Sequence, residues 1–576
     1  MQSHARWRFI VVATLLMSVP TPVYAITVHN PICPVETVLY NPANGEDIVV
    51  PSGYKVSVFA KDLNAPTAVA FKGNKNHFEV YVLESGHGLP SICNDETSAV
   101  VGGVSGPSNP FTPDILVFNQ DGLRLRGPLA KPSSGPDSLQ AHGPAIDIAF
   151  ERGFQGGRLF ATDSNQAIRT PGAQNNSSRI VIVDPDTGHV TPFITGLPTG
   201  DHPAEQITFK SDWIYWSQGS TTNSGVVGND NGGGANQQDI PCQDIVLSNN
   251  VFFSTPTVAT SGYSPHGVQR PGAHIPAFDS ATGPGICDGA ILRAKVNAKD
   301  PKATIEPFSW GYRNPFGIRF APHDHALKGG LLATENGEDE RGARPTNNAP
   351  DRLQLAQQNH DGSPDYHGWP DRFGFLESTQ AVFNPVGGPG DDLCGPPPNL
   401  PFPACIPNVL AKDVPVKPVL AFPPQPVTAP LALEPADVAA VGLDFVPDSF
   451  VTGPVRKGAA LISREGDFGF STANGAPEAG HDVELVNFSR PGEPLQLQQT
   501  RFAHNTTFEQ AFPDGLRGIN RPVDLKFGPD DCAYLVDYGA VRDFGRSDPA
   551  SKFIGPANGP LVQIPGTGVI WKICKQ

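Results

Sequence analysis

The segment from Trp310 to Pro370 holds the chain's densest chemistry: Trp310-Gly-Tyr-Arg-Asn-Pro-Phe-Gly317, Thr334-Glu-Asn-Gly-Glu-Asp-Glu340, Asp351 and Tyr366-His-Gly-Trp-Pro370. Arg313 and Asn314 stand side by side, and a guanidinium fork beside a planar amide suits a ligand rich in carboxylates. The glycine-containing acidic turn frees backbone carbonyls, the hard oxygen donors that calcium prefers. A run such as Glu338-Asp-Glu340 is equally at home in a solvated loop. Upstream, Asp201-His202 places an acid beside an imidazole, whose ordinary titration range near neutrality suits removal of a hydroxyl proton. Cysteine chemistry has no matching spacing. Cys33, Cys93, Cys242, Cys287, Cys394, Cys405, Cys532 and Cys574 form no CxxC or CxxCH, so zinc ribbons, thioredoxin-type redox pairs and covalently attached haem lack their usual ligands.

Residues this scattered need a scaffold that gathers loops, and one pattern recurs that could do so. A short strand ending in Phe is followed by a polar turn and an apolar strand ending in a polar residue. The copies are TAVAF to Phe71 with VYVLESG, AIDIAF to Phe150 with RLFATD, and EQITF to Phe209 with WIYWSQG. They continue as FGIRF to Phe320 with LLATENG, VGLDF to Phe445 with ALISREG, and PVDLKF to Phe527 with AYLVDYG. Six units at uneven intervals suit the blades of a propeller that carries long loops. A single copy would be an ordinary hairpin. The second strands end in Glu84, Asp163, Gln218, Glu335, Arg464 and Asp537, which a closed ring is expected to point toward one mouth of its channel.

Composition agrees with an all-β, turn-rich chain: 61 Gly and 61 Pro in 576 residues, with 17% charged residues. The first 25 residues read as a secretory signal, Arg6 and Arg8 preceding a short apolar run and Val23-Tyr-Ala25. That run is far short of the roughly 20 residues that span a bilayer. Residues 26–576 then form the mature chain, expected to be secreted or periplasmic, with no membrane span. Losing Arg6 and Arg8 takes the net charge from −16 to −18, which repels phosphate backbones and makes nucleic acid an unsuitable partner. The eight cysteines suit disulfides in an oxidising compartment, and Cys532 with Cys574 and Cys394 with Cys405 are the expected pairs. Two long insertions interrupt the rhythm, about 225–289 and 373–440, and both contain cysteines.

The motifs around Arg313 and Gly337, together with Asp201-His202 and all six strand pairs, resemble the soluble quinoprotein glucose/sorbosone dehydrogenase family. That family carries GxRNPxG, an acidic-glycine strand end and a YGWP-like turn. The resemblance runs over roughly residues 50 to 574 and leaves the two insertions outside. It implies a six-bladed β-propeller with long inserted loops that binds pyrroloquinoline quinone and calcium. The implied reaction is oxidation of an aldose, sugar or polyol hydroxyl, with the electrons passing to an external acceptor. By the same resemblance Arg313 and Asn314 contact the cofactor, and Arg464 stands where the family places a Lys. Of two basic residues near the quinone, Arg521 is the better match and Arg517 the second. His142 falls where the family has a cofactor-side Gln, and Asp351 at a substrate-side acid. The carbonyls of Gly337 and Glu338 would hold the ion, and His202 would be the base, preceded by Asp201. Phe316 departs from the pattern, since glucose-oxidising members carry a Gln there.

Two other functions remain open on the same scaffold. A calcium-dependent lactone or ester hydrolase would use carboxylate and Asn side chains as metal ligands, and a non-catalytic propeller would only bind.

Overall fold

The computed structural model describes residues 25–28, 36–86, 111–132, 137–141, 143–166, 176–228, 231, 238–277, 285–339, 342–347, 349–373, 376–377, 379–380, 415–466, 479–512, 515–543 and 561–576. Residues 1–24 of the expected signal segment, His142, Cys394 and Cys405 lie outside them. Among the described residues there is no α-helix, and hence no helix long and apolar enough to cross a membrane.

Six sheets form the blades of a β-propeller, antiparallel except where Glu306–Trp310 pairs in parallel with Asp365–Tyr366 in the third. Their innermost strands are Pro66–Asn74, Ala145–Phe150, Ala204–Lys210, Ile318–Phe320, Ala440–Phe445 and Pro522–Phe527. Each touches the next around the ring, and the last touches the first. All six phenylalanines of the repeated pattern lie on these strands. An inner strand is covered on both faces by neighbouring blades, so Ala68, Val69, Ala70 and Phe71 are buried in succession. Outer strands face water and lose that signature: in Arg124–Leu129 no residue is buried.

Blade six is assembled from both ends of the described ring. Pro522–Phe527, Ala533–Asp537 and Gly568–Lys575 are completed by Tyr54–Leu63, with Trp571 opposite Val58 and Ile573 opposite Val56. The Cys532–Cys574 disulfide forms within this blade, as expected, and a second joins Cys242 to Cys287 at the base of the first insertion.

The described parts of the two insertions pack on each other. Leu247 bridges to Leu420, and Val419, Leu420, Tyr263 and Trp369 share one apolar cluster. Asp371 accepts the amide hydrogens of Val419 and Leu420 while pairing with buried Arg344 at 2.6 Å. They form a joint buttress beside blade three.

The channel is bridged by charge. Lys526 Nζ lies 2.6 Å from Asp147 Oδ1 and 3.3 Å from Asp524 Oδ2, and Gln206 donates to Asp524 at 2.8 Å. These four buried side chains tie the inner strands of blades two, three and six together. Toward the mouth where the phenylalanines end, a cavity of about 430 Å³ opens, lined by Phe71, Phe150, Phe209 and Phe527.

Candidate active site

The other mouth is formed by loops that enter the inner strands, and the acids ending the second strands hold those loops. Glu84 accepts from Asn64 N at 2.7 Å, Asp163 from Gln140 N at 2.8 Å, and Glu335 from Arg313 N at 3.0 Å. Asp537 accepts from Asn520 N and Arg521 N, both at 2.8 Å. The expectation that the strand-end groups line the mouth is therefore corrected. All six are buried in their blades, where an ionisable or amide group must be hydrogen-bonded. For the four acids, backbone N–H groups of the adjacent loop supply that need; Gln218 instead donates to Pro198 O at 3.0 Å, and Arg464 donates to carboxylates. The residues these acids position, Arg313 and Arg521, reach the mouth in their place.

Around His202 the parts converge. Its Nε2 lies 3.4 Å from Asp201 Oδ2 and its Nδ1 3.7 Å from Glu205 Oε1, and its side chain is 22% exposed. Gly219 backs it closely: a Cβ there would stand 2.1 Å from the His202 Cβ, so only glycine allows the approach. Arg313 extends between blades three and four. Its guanidinium donates to Gly337 O and to Asp339 Oδ2, both at 2.7 Å, and comes within 3.5 Å of Asp201. Its Nε is a buried donor with no hydrogen-bond partner among the described residues. Asn314 donates to Asn336 Oδ1 at 2.9 Å. Arg521 donates to Gly466 O at 3.0 Å and lies near enough to Glu465 to oppose the upward push that burial gives that carboxyl, which still titrates at about 7.

The structure thus brings Asp201, His202, Arg313, Asn314 and Arg521 to one mouth and separates the rest. Arg464 pairs with Asp482 at 2.6 Å and with Glu434 at 3.2 Å, the latter on the outer strand of blade four, so it faces away from the channel. Its neighbour Glu465 occupies the mouth, replacing an expected cation with an acid. Asp351 is a clip between blades four and five, accepting from Gly337 N at 2.8 Å and Ala440 N at 3.0 Å. Arg517 lies on the surface, 3.3 Å from Asp47. Glu338 is buried with its carboxylate 3.5 Å from Arg352. The Gly337 carbonyl is taken by the Arg313 guanidinium, and a calcium ion on that oxygen would face a cation across it. Of the two carbonyls expected to hold the ion, that of Gly337 thus already accepts from Arg313.

Glu205 and Glu465 were given no site role from the sequence, and Asn336 and Asp339 were quoted only as part of the acidic-glycine segment. Glu205 and Glu465 each sit beside a residue that drew attention for its own type, and only the blade geometry turns them inward.

Burial sets the electrostatics. It pushes Glu205 well above the carboxylate range; Arg313 opposes this, and Glu465 and Asp201 add to it. Burial, aided by the charge of Asp114, raises Glu84 to about 8. Burial likewise raises Asp351 and Asp239 to about 7, and it lowers His481, beside Arg521, to about 3. Acids with raised folded values stabilise the fold fully below their ordinary range, and that contribution disappears as pH rises through about 7 to 8. His481 has the opposite sign: its contribution is present above the ordinary imidazole range and lost as pH falls toward 3. The acids outnumber it. The melting temperature should therefore fall between about pH 5.5 and pH 8.5, and calorimetry showing a rise over that interval would contradict the assignment.

The fold and mouth define a class first: a six-bladed propeller whose mouth joins an imidazole, two buried arginines and buried acids. No family model and no curated protein matches the sequence. Among solved structures, the chain is similar to the calcium structure of a Trichoderma reesei family AA12 carbohydrate-active enzyme, at 15% identity and TM-score 0.48, covering 94% of this chain and 98% of that one. It is also similar to the holo form of the PQQ domain of pyranose dehydrogenase from Coprinopsis cinerea, at 14% and 0.46, covering 92% and 97%. A third is the PQQ-bound form of aldose sugar dehydrogenase from Streptomyces coelicolor, at 14% and 0.43, covering 91% and 99%.

Proposed function

We propose that this chain is an oxidoreductase that oxidises a hydroxyl of an aldose or related polyol with pyrroloquinoline quinone held at the propeller mouth. The observation that carries the reading is a buried cation set beside a base: Arg313, 4% exposed and 3.5 Å from Asp201, with His202 over the same Asp201. Arg313 and Arg521 are the residues that would hold the cofactor's carboxylates, since charge-assisted bonds from a guanidinium to a carboxylate are strong. When bound, the quinone supplies a two-electron, hydride-accepting carbonyl. His202 takes the proton of the substrate hydroxyl, and Asp201 orients the ring and balances the charge that forms. Electrons leave to an external acceptor, and a secreted or periplasmic location suits the disulfides.

The test is direct. Pyrroloquinoline quinone added to the purified protein should give a saturable change in its absorbance, and the loaded protein should then reduce a dye in the presence of an aldose. Binding without turnover on any sugar or polyol would favour the non-catalytic reading. Lactone cleavage without quinone would favour the hydrolase.

A further inference from the structure

We propose that Glu205 stands in its neutral acid form and, by donating to Asn314 Oδ1, fixes which face of the Asn314 amide meets a ligand in the mouth. A chain of polar groups leads to Glu205 from an end that has no choice of role. Ala440 O is a backbone carbonyl and can only accept. Asn336 lies 2.8 Å from it and must present its NH2 there, which turns Asn336 Oδ1 toward Asn314. Asn314 must then point its own NH2 at Asn336, at 2.9 Å, and its Oδ1 at Glu205. The nearer Glu205 oxygen, Oε1, is 2.8 Å from that amide atom. Two acceptors at this distance need a proton between them, and only Glu205 can supply it. Turning the Asn314 amide around would let it donate to an ionised Glu205, but it would set the Asn314 and Asn336 oxygens face to face at 2.9 Å. Turning Asn336 as well only moves the clash to Ala440 O.

The charges around Glu205 agree. Asp201 and His202 face it from its own loop, Glu465 from blade five, and Arg313 from the loop between blades three and four. Arg313 is already committed to Asp339 at 2.7 Å and sits 3.5 Å from Asp201. An ionised Glu205 would be a third anion around one cation, in a residue only 2% exposed. As a neutral donor it leaves the second Asn314 N–H available to the mouth and adds no further negative charge there against an anionic ligand. Glu205 is thus a positioning residue. Its role in ligand binding rests on the function proposed above, whereas its protonation does not.

Infrared difference spectra of the ligand-free protein at pH 7 should show a protonated-carboxyl stretch that is present in the wild type and missing from Glu205→Gln. No such difference would overturn the proposal, whether or not the chain binds any quinone. Binding of pyrroloquinoline quinone, followed by absorbance, gives the second arm. Glu205→Gln keeps a donor toward Asn314 and should bind within about twofold of the wild type, while Glu205→Leu should bind about tenfold more weakly. A Glu205→Gln protein that binds the trianionic quinone tenfold more tightly than the wild type would show that a negative charge had been removed, and would overturn it. If Glu205→Leu does not fold, Glu205→Gln alone decides.

Discussion

Replacing His202 by alanine should lower the turnover of an aldose by about 10² to 10⁴, the usual contribution of a positioned base. Folding and quinone binding should be nearly unchanged. The substitution keeps the Cβ that packs against Gly219 and removes only the ring, which is partly exposed and faces two carboxyls. Asp201 retains Arg313 at 3.5 Å, so no buried acid is stranded. Steady-state kinetics beside a melting curve separates the outcomes. A quinone-loaded variant working at the wild-type rate would remove His202 from the reaction and leave Asp201, one of the two carboxyl groups it faces, as the candidate base.

The second large effect concerns the channel and not the mouth. Lys526→Met should destabilise the fold by about 3 to 5 kcal/mol, because it removes the cation that faces Asp147 and Asp524 in the interior. Burial already pushes Asp147 upward and Lys526 holds it down. Without the lysine, Asp147 takes a proton, so the loss should grow as pH rises. Adding Asp147→Asn should recover much of it. Denaturation of the single and double variants at acid and alkaline pH checks both statements, and equal losses at the two pH values would refute the charge argument.

The fold was legible because the inner strands are dictated twice, by their own apolar runs and by repetition. Phe71, Phe150, Phe209, Phe320, Phe445 and Phe527 all fall on inner strands. Outer strands such as Arg124–Leu129 carry no such pattern, since one side is wet. The site was half legible. Arg313, Asn314 and Asp201-His202 are recognisable by type and spacing, and they do meet at one mouth. Arg464 was misplaced by one residue: side chains alternate along a strand, so Arg464 turns to the blade interface and Glu465, just past the strand end, faces the channel. Asp351 and the strand-end acids were read as chemistry but satisfy backbone N–H groups. A sequence shows that an acid is present; whether a main-chain donor has already claimed it depends on which loop the fold lays beside it.

The pairing of Gly568–Lys575 with Tyr54–Leu63 has a consequence for how the molecule is made. During synthesis Tyr54–Leu63 emerges early, and its partner strand is more than 500 residues away. At about 5 to 20 residues per second, that strand edge waits about 25 to 100 seconds, with unpaired amides and carbonyls that could recruit a wrong neighbour. Blades one to five can each hydrogen-bond as they emerge, yet the ring stays an open arc until its last strand leaves the ribosome. A cell that exports this chain unfolded would keep the early edge away from other nascent strands, and the closing step would then take place beyond the membrane, where the Cys532–Cys574 bond can lock it.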